Sequence, residues 1–130
     1  MKDVINYLDE IKSKIAASPA LTFAEIVTER TLVDRGYFRV RLTLINGDFL
    51  ELSEYFVVES GTILTLEYRY QWMNFPQQKL IKRWDNAKHF PGLPNFPHHV
   101  HVGDEKQVVS GEPISIIELI DLIEQEIIRT

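Results

Sequence analysis

The chain has 130 residues, 45% of them hydrophobic and 25% charged, with a formal net charge of −5, six Gly, six Pro and no Cys. That length suits one domain, the apolar share can fill a core, and the missing Cys excludes disulfide scaffolds, thiolate zinc sites and cysteine nucleophiles. No apolar run approaches the ~20 residues of a membrane span, Met1 to Lys14 is not a signal peptide, and a pI near 5.3 argues against a general nucleic-acid coat, so a soluble cytoplasmic protein is expected.

Val4, Leu8, Ile11 and Ile15 recur at helical spacing, and Ser18-Pro19 should stop that helix because the residue before a proline avoids the helical region. From Leu21 the period changes to two. A first strand is expected around Glu25–Val33, turning at Arg35-Gly36, and Phe38-Val40-Leu42-Leu44 alternates with Arg39, Arg41 and Thr43 as a half-buried second strand. Asn46-Gly47-Asp48 supplies the positive φ of a tight hairpin. Leu50 to Val58 is the third strand, Ser60-Gly61-Thr62 the next turn, and Leu64-Leu66-Tyr68-Tyr70-Trp72 a fourth strand with an aromatic face. Asn74-Phe75-Pro76-Gln77 breaks it, and Leu80 to Asn86 is a fifth strand, approached from near Gln78. Such short links permit only antiparallel neighbours. A closing helix is expected over 115–129, where Ile116, Ile120, Ile123 and Ile127 form a stripe and Ser115 with Glu118 fits a capping box. The predicted fold is therefore α+β: one domain, a five-stranded antiparallel meander with both helices packed on one face. The wide apolar arc of the closing helix, which also carries Ile117 and Leu119, fits burial against sheet and first helix, or a homodimer interface.

The chemistry concentrates between Arg69 and Lys106. That stretch holds all four His, both Trp, and six Lys and Arg against three Asp and Glu, a balance of +3, while the remainder carries −8 from eight basic and sixteen acidic residues. A positive, aromatic-rich surface suits phosphate attraction and base stacking, although strand aromatics also simply pack. Three prolines between His89 and His101 predict a stiff, extended loop that must return over the sheet to reach the closing helix. If His99 and His101 are extended, both side chains project to one side and His98 to the other. Such a pair can hold a divalent metal, with His89, Asp85 or Asp104 nearby as a further ligand, but the spacing matches no zinc module. The alternative is metal-free RNA cleavage. One His takes the proton of a 2′-hydroxyl, another protonates the leaving oxygen, and a cation stabilises the phosphorane. His99, His101, His98 and His89 with Arg69 and Arg83 supply those groups, and nearby cations would lower imidazole pKa values to suit a base. The metal-free version is preferred, with no cofactor required; a bland alternative makes all four His structural loop residues. The charges of Glu25, Glu29, Arg39, Arg41, Glu51, Glu67 and Arg69 alternate in sign between strands, which predicts a solvated ladder of ion pairs.

At Tyr68-Arg69-Tyr70-Gln71-Trp72, Arg83-Trp84-Asp85-Asn86-Ala87, His89 and Pro97-His98-His99-Val100-His101 the chain resembles the TumE-type toxins of prokaryotic toxin–antitoxin modules, over nearly its whole length. It departs from that pattern at Phe90, where a second His often follows the first. The resemblance implies a toxin encoded beside an antitoxin that is often a helix-turn-helix DNA binder. It brings no defined catalytic set. The expected function is thus a toxin acting on RNA through the histidine segment, the alternative a non-enzymatic binding or metal-binding protein. A cognate antitoxin is the expected partner, attracted where the chain is acidic; no membrane partner is expected.

Overall fold

The computed structural model describes residues 3–76 and 79–128. Helix α1 spans Val4–Ala17, capped by Asp3, whose carboxylate accepts from the Asn6 N–H at 2.8 Å. Ser18 leaves the helix in an extended conformation, as the following proline demands. Seven strands follow: β1 Leu21–Thr31, β2 Arg35–Leu44, β3 Phe49–Glu59, β4 Thr62–Met73, β5 Leu80–Asp85, β6 His99–Val102 and β7 Val108–Ser110. Helix α2, Ile116–Ile128, follows the last strand, and the expected end of that helix at Arg129 lies outside the described residues. The Ser115–Glu118 capping box forms in both directions. The Glu118 N–H donates to Ser115 Oγ at 3.2 Å, and the Ser115 N–H donates to Glu118 Oε1 at 3.0 Å.

All strand pairs are antiparallel and the order is β1 to β7, a strict meander. The α+β meander is as expected, but with seven strands rather than five. The two additional strands come from the segment expected to be an extended loop. Residues 90–98 instead fold into successive tight turns, closed by Leu93 N–H to Phe90 O, Phe96 N–H to Leu93 O and His98 N–H to Asn95 O. Pro91 and Pro94 take the second position of the first two turns, where their fixed φ is favourable, and Asn95 supplies a positive φ of 63°. The chain is thereby returned to the free edge of β5, and His99–Val102 pairs with it in the plane of the sheet. Smaller differences are that β1 begins at Leu21 and that Arg35-Gly36 opens β2 rather than turning the chain, whereas β5, Leu80–Asp85, falls within the expected Leu80 to Asn86. The expected approach near Gln78 lies outside the described residues.

One face of the sheet is apolar. Phe38, Val40, Leu42 and Leu44 of β2, Leu50, Leu52 and Phe56 of β3, Tyr68, Tyr70 and Trp72 of β4 and Trp84 of β5 bury against Val4, Tyr7, Leu8 and Ile11 of α1 and Ile116, Leu119, Ile120 and Ile123 of α2. The apolar arc of α2 is thus taken up inside the molecule, with Ile117 and Leu122 packed at its margin. Each fully buried Leu or Ile contributes about 1.5–3 kcal/mol. The exception on this face is Glu54, fully buried, whose carboxylate accepts from Tyr7 Oη at 2.7 Å, Thr65 Oγ1 at 3.2 Å and the Ile116 N–H at 2.9 Å. Among the described residues no helix is long and apolar enough to cross a membrane. The opposite face carries no helix. It bears the expected ion-pair ladder in part: Arg39 with Glu51, and Arg41 with Glu25 at 3.7 Å and Glu51 at 3.5 Å, whereas Glu29 pairs with Lys12 of α1 at 2.7 Å.

Candidate functional site

Register decides which side chains meet. In an antiparallel pair, directly opposed residues share a face, as do residues two apart along a strand. Asp85 lies opposite His99 and Arg83 opposite His101, while Arg69 of β4 lies opposite Asp85 on its other side. Those five side chains must therefore share the face that carries no helix. Arg69 stands further along β5 than the expected stretch of residues 80–83; Gln71 is the residue opposite Arg83.

At the end of this row, Asp85, His99, His101 and Arg83 are buried despite their polarity, with His99 only 2% exposed. The cover comes from the turn-rich loop: the Phe90 ring stands edge-on to the rings of His99 and His101, at 5.2 and 6.0 Å between centroids. Each imidazole is oriented through Nδ1. That of His99 donates to Pro97 O and that of His101 to Glu105 O, both at 2.9 Å, because a carbonyl can only accept. The Nε2 atoms are therefore turned toward Asp85, at 2.9 Å from Oδ1 for His99 and 3.6 Å from Oδ2 for His101. The 2.9 Å approach is a close contact without hydrogen-bond alignment: His99 Nε2 is a buried polar atom with no hydrogen-bond partner among the described residues. The Asp85 carboxylate is itself held by the Ala87 N–H at 3.1 Å and Arg83 Nε at 3.3 Å. Arg83 reaches outward to Glu105 with both terminal nitrogens, and its Nη2 stands 3.3 Å from His101 Nε2. This pairing raises the pKa of Arg83 and holds the Glu105 carboxyl below its usual value.

The remaining expected site residues lie elsewhere. His98 points to the other face, as the alternation requires, where its Nδ1 is 2.9 Å from Tyr68 Oη and its ring stacks on that tyrosine. Burial lowers the pKa of His98 below the ordinary 6.5. His89 is exposed in the loop, edge-on to Phe90. Arg69 is exposed and donates to Gln71 Oε1 at 2.9 Å. It also lines a cavity of about 740 Å³ on the same face, with Tyr37, Ser53, Tyr55, Asn86 and Lys88. The cavity adjoins the buried cluster, since Asn86 follows Asp85 and Arg69 sits across from it.

In the sequence Asp85 stands within the family-like Arg83–Ala87 motif and as one of three neighbours able to complete a metal site, Phe90 marks only a departure from the family pattern, and Glu105 has no assigned role. The parity signal was available for Asp85: residues 83, 85, 99 and 101 share a face once β5 and β6 pair. Phe90 and Glu105 act through loop conformations that have no periodicity.

Compared with known proteins, residues 11–130 match the family model described as Toxin TumE. No curated protein matches, and no solved structure does.

Proposed function

The chain belongs to the TumE toxin family, and from that premise we propose that it is the toxin of a toxin–antitoxin module, acting on RNA at the face of Asp85, His99, His101 and Arg83. The observation that carries this reading is the convergence of two imidazoles, a carboxylate and a guanidinium beside a cavity edged by Arg69 and Lys88. An RNA backbone lying along that cavity meets two cations, and Tyr37 and Tyr55 on adjacent strands offer aromatic surface for bases. At the cluster, one Nε2 can take the proton of a 2′-hydroxyl as its oxygen attacks phosphorus, the other imidazole, protonated on Nε2, can give a proton to the 5′-oxygen as the P–O5′ bond breaks, and Arg83 stabilises charge developing on the phosphate. Phe90 covers both imidazoles, so an incoming phosphate displaces its ring. The step as proposed uses neither His98, which faces Tyr68, nor His89, which is exposed in the loop beside Phe90.

A second reading has its own support. Both Nδ1 atoms are satisfied by backbone carbonyls and both rings are buried, which also suits a clasp that ties the 86–98 loop and the β6–β7 turn to the sheet. The protein would then act by occupying a target. Induced expression separates the two, with growth and total RNA followed for wild type, Asp85→Asn and the His99→Ala/His101→Ala variant. Growth arrest with RNA fragmentation, lost in folded variants, is the expected result. Arrest with intact RNA, or arrest undiminished in the variants, rejects cleavage at this cluster.

A further inference from the structure

We infer that Asp85, His99 and His101 bind one divalent first-row transition-metal ion, with both imidazole Nε2 atoms and one carboxylate oxygen as ligands. The inference concerns the same side chains but stands on the donor geometry and needs neither RNA nor toxicity to be true; with an ion bound, both Nε2 lone pairs are taken and neither imidazole is the base proposed above.

The three ligand atoms all lie within 4.8 Å of one another. Ligands about 2.0–2.1 Å from a tetrahedral ion are about 3.3 Å apart, and each ring has one Asp85 oxygen near that spacing, Oδ1 at 2.9 Å from His99 Nε2 and Oδ2 at 3.6 Å from His101 Nε2. Both rings present the tautomer an ion requires: Nδ1–H is tied to a backbone carbonyl, which fixes the ring plane and leaves Nε2 basic. The carboxylate has the corresponding support from the Ala87 N–H. The most direct sign is His99 Nε2, buried and without a hydrogen-bond partner among the described residues. A buried polar atom in that state is costly, and ligation would satisfy it.

Arg83 is the feature that weighs the other way. Its Nη2 stands 3.3 Å from His101 Nε2, where it serves one of the two acceptors and leaves that of His99 unserved. Its charge does not repel an ion on balance, because Glu105 holds the outer end of the guanidinium. With neutral imidazoles, Asp85, Glu105 and Arg83 leave the cluster one negative charge. Two nitrogen donors with one oxygen favour zinc or a neighbouring transition ion over magnesium, which prefers oxygen ligands alone.

The test uses the full chain, stripped of metal and titrated with zinc against a chromophoric chelator. In parallel, imidazole nitrogen resonances are followed by NMR on wild type, which avoids any folding defect of a variant. The expected result is one zinc per chain, displacement of the Nε2 signals of His99 and His101 but not those of His98 or His89, and no competition by magnesium. Asp85→Asn, checked for retained fold by circular dichroism, should weaken zinc binding at least ~100-fold, beyond the effect of disturbing a supporting group. Absence of stoichiometric binding at micromolar zinc overturns the inference. So does zinc that shifts His89 or His98 instead, or binds a folded Asp85→Asn protein as tightly as wild type. Zinc binding without RNA damage on expression rejects only the proposed action on RNA, whereas RNA damage without zinc binding rejects only the metal.

Discussion

Glu54 is a carboxylate placed where a leucine would ordinarily pack, and its neighbours explain how it is tolerated. Tyr7 of α1, Tyr70 and Thr65 of β4 and the Ile116 N–H of α2 all donate to it, so one side chain ties both helices to the sheet. Burial nevertheless outweighs these donors and raises its pKa above the usual 4.5. The folded protein therefore keeps a proton that the unfolded chain releases from about pH 4.5 upward, and raising the pH through that window favours unfolding. Glu54→Gln cannot titrate, and its amide turns N–H groups toward existing donors. We expect it to lose about 1–3 kcal/mol in urea unfolding at low pH, with the deficit relative to wild type narrowing as pH rises above 4.5. A deficit that is constant from pH 4.5 to 8 would show that Glu54 has an ordinary pKa in the fold.

Among the elements, β2 and β3 are fitted by a glycine. Gly36 of β2 lies opposite Phe56 of β3, and a Cβ on Gly36 would stand 2.6 Å from Phe56 Cζ. The ring cannot retreat, because it is fully buried and packs edge-on against Tyr7 at 4.7 Å between centroids. Gly36→Ala should therefore cost about 1–3 kcal/mol by overpacking, read as a lowered melting temperature without loss of far-ultraviolet ellipticity. In the chain the first four strands are legible because they are long: alternation over ten or more residues and turns with Gly47 and Ser60-Gly61 at positive φ leave little choice. β6 and β7 have four and three residues, too few to establish a period, and they sit behind prolines that signal loop until the turns they make are known. The site inherited that partial legibility. His99 and His101 sharing one side, opposite His98, follows from alternation alone. Their meeting with Asp85 follows only from a strand pairing whose strength lies in backbone hydrogen bonds, which the side chains do not advertise.

At the scale of the molecule, core and candidate site lie on opposite faces of one sheet and differ in their anchorage. Strands β2 to β4 are covered by both helices, while β6 and β7 form the edge and Val109 is half exposed. In native-state hydrogen exchange, the amides of β6 and β7 should exchange by local opening well before those of β2–β4. Equal protection across the sheet would mean that the site strands are as firmly held as the core. The bipolar distribution of charge along the chain is moderated in space, since Arg83 is matched by Asp85 and Glu105, and Lys82 by Glu126 at 2.9 Å. The position of α2 bears on how the molecule is made. Neighbouring strands are neighbours in sequence, but Lys14 meets Asp121 across 107 residues and Glu54 meets Ile116 across 62. All seven strands therefore leave the ribosome before the helix that seals their apolar face. At about 5–20 residues per second, the thirteen residues of α2 take about 1–3 s to synthesise. During that interval the polar face and its strands exist in the nascent chain while the opposite face is only half covered. Completion of the fold thus waits for α2 to emerge, and a chaperone or partner meeting the chain before then encounters a sheet whose core side is still open.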